Sequence, residues 1–473
     1  MKKLLPSVVL LVLVTSCEGV LDLDPKDVYV PEIAEKQLST YQGLINATYN
    51  VLQSANYYQS NFLLTSDALA DNVESVELRI FQAQTVNSVG AHFNIWEIYP
   101  GINYCNLVLD KVDNVIITDE TLQRPVINRL KAEAYFLRAL LYFDLHRAYA
   151  YEPNHIITEW DKGVILRTEA VTNIDQVDLR ERATIEEGYA LIESDLLKAI
   201  EIFDSNSINP GVYRANLGAA HALLARLYLY WEKWEDARNQ VYEAYTYTNA
   251  NIVEAANYQN SFAATPHPES LFELDFTPED TSFPEKVTGS MRSLTYFSEN
   301  ISAHYFSCTV TDNLLAAFEG GDVRKNLITE TLIGTNTYNM CTKWEGSKTG
   351  GLGYVDNVPM IRYAELLLIE AEASYRLNEE AEARSALNVL RQKRGLPDVT
   401  AALSGNALFD KIMNERRVEF YFEGHRWFDL KRNGLDITKD SGVNLSYTDF
   451  RILAPIPSSQ TILNKKLLQN PGY

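Results

Sequence analysis

Apolar positions recur along much of this chain with the period of an α-helix. In RLKAEAYFLRALLYFDLHRAYA (129–150), Leu130, Ala134, Leu137, Leu141 and Leu145 follow one another at steps of four, three, four and four. That spacing lays a single apolar stripe along one helical face and predicts a helix that packs against the protein interior. The segment ANLGAAHALLARLYLYWEKWEDARNQVYEAY (215–245) carries two such helices, hinged near Glu232 and Lys233. The segment RYAELLLIEAEASYRLNEEAEARSALNVLRQKRG (362–395) reads the same way and stops at Gly395, a residue suited to a helix end. Ala225 and Ala237 lie twelve apart around WEKW, and Ala371 and Ala383 lie twelve apart around RLNEE. Small residues at such positions let two helices pack closely across a short turn, as in tetratricopeptide-like hairpins. The full repeat consensus is missing and the copies are far apart, so several degenerate hairpins are expected and a regular solenoid is not.

Between these runs the periodicity fades. Residues 53–95, 150–183 and 256–360 are rich in Asn, Ser, Thr, Gly, Pro and aromatics, and read as irregular. Loops of this length in a folded domain tend to carry function. GSKTGGLGY (346–354) suits a mobile loop and lacks the spacing of a phosphate-binding one. The expected fold is mainly α, a tetratricopeptide-like scaffold with long irregular loops and minor β.

Composition narrows the partners. A net charge of −21 excludes a phosphate-neutralising nucleic-acid surface and a polybasic grip on anionic lipid. Of the 28 Tyr, 18 Phe and 6 Trp most belong in the core, but so many Tyr leave room for exposed rings, which suit amphipathic ligands.

The first residues add a location. Lys2 and Lys3 precede an apolar run, Leu4 to Val14, that is too short to span a bilayer and reads as a signal peptide, residues 1–16. Val14-Thr15-Ser16-Cys17 looks like a bacterial lipobox, which would make Cys17 the lipidated first residue of the mature chain. A tether (17–32) broken by Pro25 and Pro31 follows, and no later segment has 18 consecutive apolar residues. Acyl chains at Cys17 would then be the membrane attachment. Beyond the tether, residues 33–255 form an N-terminal helical region and 256–473 a C-terminal region, expected to build one unit. Cys105, Cys308 and Cys341 allow either a Cys308–Cys341 disulfide or three buried thiols, and their spacing does not make a zinc site.

ERRVEFYFEGHRWFDLKRNG is the densest cluster of ionisable groups. Glu415, Glu419 and Glu423 stack at i, i+4 and i+8 on one helical face, where like charges repel and must be neutralised. Arg416, Arg417 and Arg426 are the expected partners, with Asp429 and Arg432 extending the network. A glycosidase-like acid and nucleophile would have to face each other across a bond, whereas these carboxylates point the same way. A nearby arginine also lowers a carboxylate pKa, contrary to what acid catalysis needs. The network reads as structural. His425 has no evident partner, the seven histidines show no His-Glu-x-x-His spacing, and neither a Gly-x-Ser-x-Gly elbow nor an EF-hand loop occurs. No catalytic residue, metal site or cofactor is expected.

Three runs of the C-terminal third resemble the SusD/RagB family of outer-membrane lipoproteins: RYAELLLIEAEASYRL with ALNVLRQKRGL, IMNERRVEFYFEGHRWFDLKR, and LAPIPSSQTILNKKLLQNPGY. LDLDP (21–25), INYCNLVLDKVD, AEAYFLRALLYFDL and RATIEEGYALIESDLLKAI fit the same family upstream, so the resemblance runs from the lipobox to Tyr473. It implies a predominantly helical protein on the outer membrane of Bacteroidetes-type bacteria. It implies, further, a hinged lid over a SusC-like TonB-dependent transporter that delivers oligosaccharides or, in RagB-like members, peptides. A surface-anchored hydrolase is the remaining alternative.

A sugar-binding site wants aromatic platforms with amide and carboxylate neighbours. The stretch around TSDALADN supplies Asp67, Asp71, Asn72, Phe81, His92 and Phe93, and the long insertion supplies Tyr296, Phe297, Tyr305, Phe306, Tyr338 and Trp344. Trp96 and Tyr99, on a predicted helix, are expected to pack.

Overall fold

The computed structural model describes residues 34–76, 81–277, 290–297, 306–344 and 355–473. Cys17 with its tether, Tyr305 and the glycine-rich segment 346–354 lie outside the described residues.

Helices dominate, as the periodicity requires. The helices that organise the molecule are α1 (Leu38–Leu52), α2 (Asn61–Leu69), the single turn α3 (Gln82–Thr85), α4 (Tyr99–Lys111) and α5 (Glu120–Tyr149). They continue with α6 (Ile185–Ser205), α7 (Leu217–Tyr230), α8 (Trp234–Tyr247), α9 (Tyr363–Arg376), α10 (Glu380–Gln392), α11 (Asn406–Phe420) and α12 (Arg426–Arg432). Helix α5 starts earlier than its apolar stripe: Asp119 accepts hydrogen bonds from the Thr121 and Leu122 amides and caps a polar, exposed first stretch. Helix α6 opens on a reciprocal capping box between Thr184 and Glu187, then buries Ile185, Tyr189, Ile192, Leu196, Ala199 and Phe203 along one face.

Helix α5 packs on α6, α6 on α7, α7 on α8, α8 on α9 and α9 on α10, so the hairpins stack side by side into a scaffold. The twelve-residue rhythm has a geometric basis. Trp231, Glu232 and Lys233 between α7 and α8 have the same backbone course as Leu377, Asn378 and Glu379 between α9 and α10. Glu232 and Asn378 take positive φ angles of 57° and 65° at matching places. Ala225, Ala237, Ala371 and Ala383 are fully buried where the paired helices meet.

Strand content is small and antiparallel. The two-stranded pairs are β1 (Val73–Ser75) with β3 (Cys308–Val310), β2 (Ser270–Leu274) with β6 (Val358–Arg362), and β4 (Ile328–Ile333) with β5 (Asn336–Cys341). A last short pair is β7 (Ile437–Thr438) with β8 (Asn444–Leu445). One hydrophobic core runs from Tyr41 to Leu467 and joins residues of both halves. Cys105, Cys308 and Cys341 are all buried free thiols, which resolves the cysteine alternatives against a disulfide.

One stretch differs from the sequence expectation. Residues 53–95 read as irregular, yet they contain a π-helical turn, Ala55–Gln59, and α2. Every residue of α2 from Phe62 to Leu69 is buried, so the helix has no polar face and leaves no amphipathic signature.

Candidate functional site

The segment 53–95 that hides α2 also builds a cleft. Its volume is about 140 Å³, and it lies between the π-helical turn and start of α2 on one side and α3 with residues 92–94 on the other. Phe62, Phe81, His92 and Phe93 supply rings, and Asn56, Asn61, Gln84 and Asn94 supply side-chain amides. None of the described residues lining it carries a charge.

The rings are held from behind. Phe93 stacks on Phe428 of α12 at 5.0 Å with a 15° interplanar angle, Phe62 meets both, and the Arg147 guanidinium sits 4.4 Å from the Phe428 centroid. His92 is fixed by hydrogen bonds at both nitrogens: Nδ1 accepts from the Phe93 amide at 3.0 Å and Nε2 donates to the Arg451 carbonyl at 3.1 Å. Burial holds its imidazole at about 3, so it stays neutral and presents a ring rather than a proton.

The amides are less committed. The Asn61 side chain donates to Asn56 Oδ1, and Asn56 donates to Glu97 at the rim. Gln84 and Asn94 make no side-chain hydrogen bond among the described residues, leaving donors and acceptors for hydroxyl groups.

The wall that carries Phe81, Gln84 and Asn94 is clasped by the C-terminal segment. Lys439 Nζ, buried without a carboxylate partner among the described residues, donates to the carbonyls of Ala68, Gln84 and Thr85 at 2.7, 3.2 and 2.9 Å. It thereby joins the C-terminal ends of α2 and α3, where a cation is favoured. Arg451 donates to the Asn87 carbonyl at 3.0 Å.

The remaining residues singled out from sequence fall elsewhere. Asp67 and Asn72 are fully buried: Asn72 donates to Asp67 Oδ1 at 2.7 Å and accepts from Arg417 Nε at 2.8 Å. They brace the core and offer nothing to a ligand, and burial pushes the Asp67 carboxyl up to about 7. Trp344 is 2% exposed and presents no platform; its indole packs in the main core. Tyr296 and Tyr338 are half-buried in a satellite cluster with Phe297 around Val76, Phe306 and Met340, next to the paired strands β1 and β3. Trp96 and Tyr99 pack as expected, Trp96 edge-on to Tyr149.

The helix expected to carry all three acidic residues ends at Phe420, so Glu415 and Glu419 share a face of α11 while Glu423 stands in the turn beyond, after the positive φ of Phe422. All three are buried and paired, though by other cations than those expected. Glu415 binds Arg324 at 2.7 Å and also Arg391. Glu419 binds Arg362, Arg394 and Arg324 at 2.9, 2.9 and 3.3 Å, and Glu423 binds Lys343 and Arg362 at 2.7 and 2.8 Å. Of the expected partners, Arg416 instead meets Asp429 at 3.0 Å, and Arg426 grips Asp71 at 2.7 Å with Arg417 alongside. Arg416 is within a helical turn of Glu419 but its guanidinium is taken by Asp429 of α12, and Arg426 follows the break after Phe420 and turns to Asp71. Arg324, Arg362 and Arg394 reach Glu419 from other segments, and Glu269 completes the lattice against Arg362 and Arg394.

Burial raises the carboxyls of Glu415 and Glu419, but the surrounding guanidinium groups more than offset it and leave both lowered, Glu419 far below the usual range. Neither can hold a proton for acid catalysis. His425 stacks on Phe420 at 4.4 Å, and burial drives its pKa well below the ordinary value. Among the described residues no group of His, Cys, Asp and Glu is arranged to hold a metal ion.

Two family models match this chain: "SusD family" over residues 324–473 and "Starch-binding associating with outer membrane" over residues 22–229. SusD-like protein P38 of Formosa agariphila is 24% identical over 97% of this chain and 96% of its own length. Starch-binding protein SusD of Bacteroides thetaiotaomicron is 26% identical over 43% of this chain and 39% of its own length. A SusD superfamily protein from Bacteroides thetaiotaomicron superposes with a TM-score of 0.80 at 24% identity, covering 92% of this chain and 100% of that one. A SusD-like carbohydrate binding protein from Bacteroides vulgatus gives a TM-score of 0.77 at 20% identity, covering 91% and 97%. With one model on each half, full-length relatives and the same helical scaffold, the chain belongs to the SusD/RagB family.

Proposed function

We propose that this protein is a lipid-anchored, surface-exposed outer-membrane protein that binds nutrient oligosaccharides and passes them to a SusC-like TonB-dependent transporter as its lid. The observation that carries the binding part is the cleft: rings held rigid from behind, with uncommitted amides at their edges. Sugar rings pair apolar faces with a fringe of hydroxyls, and this lining complements both. The likeness to a starch-binding family that associates with the outer membrane, and to starch-binding SusD, supports the same ligand class and location. The Lys2–Cys17 pattern supports acylation at Cys17.

No chemistry is assigned to the protein, because the acidic residues that could have formed a catalytic pair are locked against arginines. The test combines a pull-down from native membranes with calorimetry against a glycan and peptide panel, followed by chromatography of the recovered ligand. A TonB-dependent transporter in the pull-down and an intact oligosaccharide are expected. An empty pull-down removes the lid role, cleaved ligand removes the binding-only reading, and peptide binding without sugar binding replaces the ligand class. Cys17→Ala should lose acyl labelling and leave the membrane fraction; normal labelling refutes the anchor.

A further inference from the structure

A cavity of about 260 Å³ lies away from the cleft, where α6 ends, α7 begins and α8 ends. Asn206, beside it, accepts a hydrogen bond from Asn128 near the start of α5, whereas the cleft lies by Tyr149 at that helix's other end. The separation of 21 positions corresponds to about 30 Å along the helix axis.

The cavity is built from two kinds of surface. Phe203 and Leu217 give it apolar walls, and the Tyr247 ring, 42% exposed, lines it. That ring cannot turn freely: it stacks on His221 at 5.5 Å with an interplanar angle of 7°, and His221 Nδ1 is bonded to Gln240 Oε1 at 2.7 Å. The helices meet so closely here because Gly218 has no side chain; a Cβ would stand 3.0 Å from the Tyr247 carbonyl. The same cavity is lined by Asp204 and Ser207, both exposed and neither hydrogen-bonded through its side chain among the described residues, and by Asn209, whose Oδ1 accepts from the Gly211 amide while its amide nitrogen has no partner among them.

We propose that this cavity is a second carbohydrate subsite, sized for one pyranose unit, with Tyr247 as the stacking platform and Asp204, Ser207 and Asn209 as hydroxyl partners. A fixed aromatic face beside a carboxylate acceptor, a hydroxyl and an amide donor is the combination that a polyhydroxylated ring satisfies. It suits neither an aliphatic ligand, which would strand the Asp204 charge, nor an anionic one, which that charge repels.

The test uses the full-length chain with D-glucose, D-galactose and D-mannose as probes, followed by saturation-transfer NMR and calorimetry. Parent protein, Tyr247→Ala, Tyr247→Phe and a cleft variant, Asn94→Ala, are compared. The expected result is saturable binding of at least one sugar that Tyr247→Ala weakens by roughly two- to tenfold, the range one lost stacking contact carries. Tyr247→Phe keeps the ring and should retain that binding, and the Tyr247→Ala loss should be of the same size in a protein that also carries Asn94→Ala, since the two sites are separate. No saturable binding of these sugars to the Asn94→Ala protein, or binding there that Tyr247→Ala leaves intact, overturns the proposal.

Discussion

Two parts of this molecule use polar side chains in opposite ways. Behind α11, five cations (Arg324, Lys343, Arg362, Arg391 and Arg394) meet five carboxylates (Glu269, Asp322, Glu415, Glu419 and Glu423), all ten buried. In the cleft, the polar atoms are neutral amides, two of them without a partner among the described residues. Charges taken out of water must satisfy one another completely, so the first region is closed to any other use. Neutral amides cost less to leave half-satisfied, so the second can remain open to solvent and exchange water for hydroxyls. Density of ionisable groups is therefore a poor guide to function in this chain. It marks the frame.

The sharpest way to break that comparison is at Glu419, which three guanidinium groups share. Glu419→Gln leaves those charges in a dry site with one anion fewer and should cost about 3–5 kcal/mol of stability, read as a fall in melting temperature. Retained stability together with lost ligand binding would move the lattice from frame to site. Trp344→Ala comes next. With 2% of its surface exposed, the loss should be about 3–5 kcal/mol from removed packing, and ligand affinity in the protein that still folds should be unchanged.

How far the sequence alone reached follows the same division. The hairpins were legible because they are amphipathic: apolar spacing, the twelve-residue alanine rhythm and the WEKW hinge each leave a one-dimensional trace. Helix α2 left none, since burial on all sides erases periodicity. The ion pairs of Glu415, Glu419 and Glu423 were misassigned because nearness along the chain stood in for nearness in space; Arg324 lies 95 residues from Glu419. Phe81, His92 and Phe93 converge on one cleft, while its amides, Asn56, Asn61, Gln84 and Asn94, leave no signal in the sequence. Four amides scattered over some forty positions carry no motif, and only the π-helical turn and α3 bring them together.

Where α5 packs on α6 stands His146, 1% exposed and edge-on to Tyr189, with neither ring nitrogen hydrogen-bonded among the described residues. Gly163 and Gly188 make room for its ring, and burial, with Arg182 and Lys431 nearby, lowers its pKa to about 3. A histidine depressed in the folded state takes up its proton on unfolding, so its contribution is present above about pH 6.5 and is lost as the pH falls toward 3. Raised carboxyls such as Glu133 and Glu152 act in the opposite sense, so the parent curve alone is not diagnostic. The difference between His146→Leu and parent isolates the group. Near pH 7 the two should be of similar stability, and at pH 5 the variant should be ahead by about 2 kcal/mol. Parallel stability curves from pH 7 to pH 5 would show that His146 does not behave as a neutral buried ring.

The smallest effect is the most informative about function. Asn94 is exposed and Gln84 half-buried, and neither side chain is hydrogen-bonded among the described residues, so replacing either with Ala removes nothing that the fold uses. Melting temperature should stay within the range of ordinary surface substitutions, about 0.5 kcal/mol. Each amide that meets a ligand hydroxyl should cost about 0.5–1.5 kcal/mol of binding, roughly two- to tenfold in Kd. Lys439→Met separates wall position from wall chemistry. It removes no atom that would touch a sugar but releases the Gln84 and Thr85 carbonyls, so affinity should fall along with stability, and Lys439→Arg should recover part of both. If Asn94→Ala and Gln84→Ala bind the oligosaccharide as well as the parent does, the cleft is not the site. The half-buried rings Tyr296 and Tyr338 beside β3 would then be the next place to look.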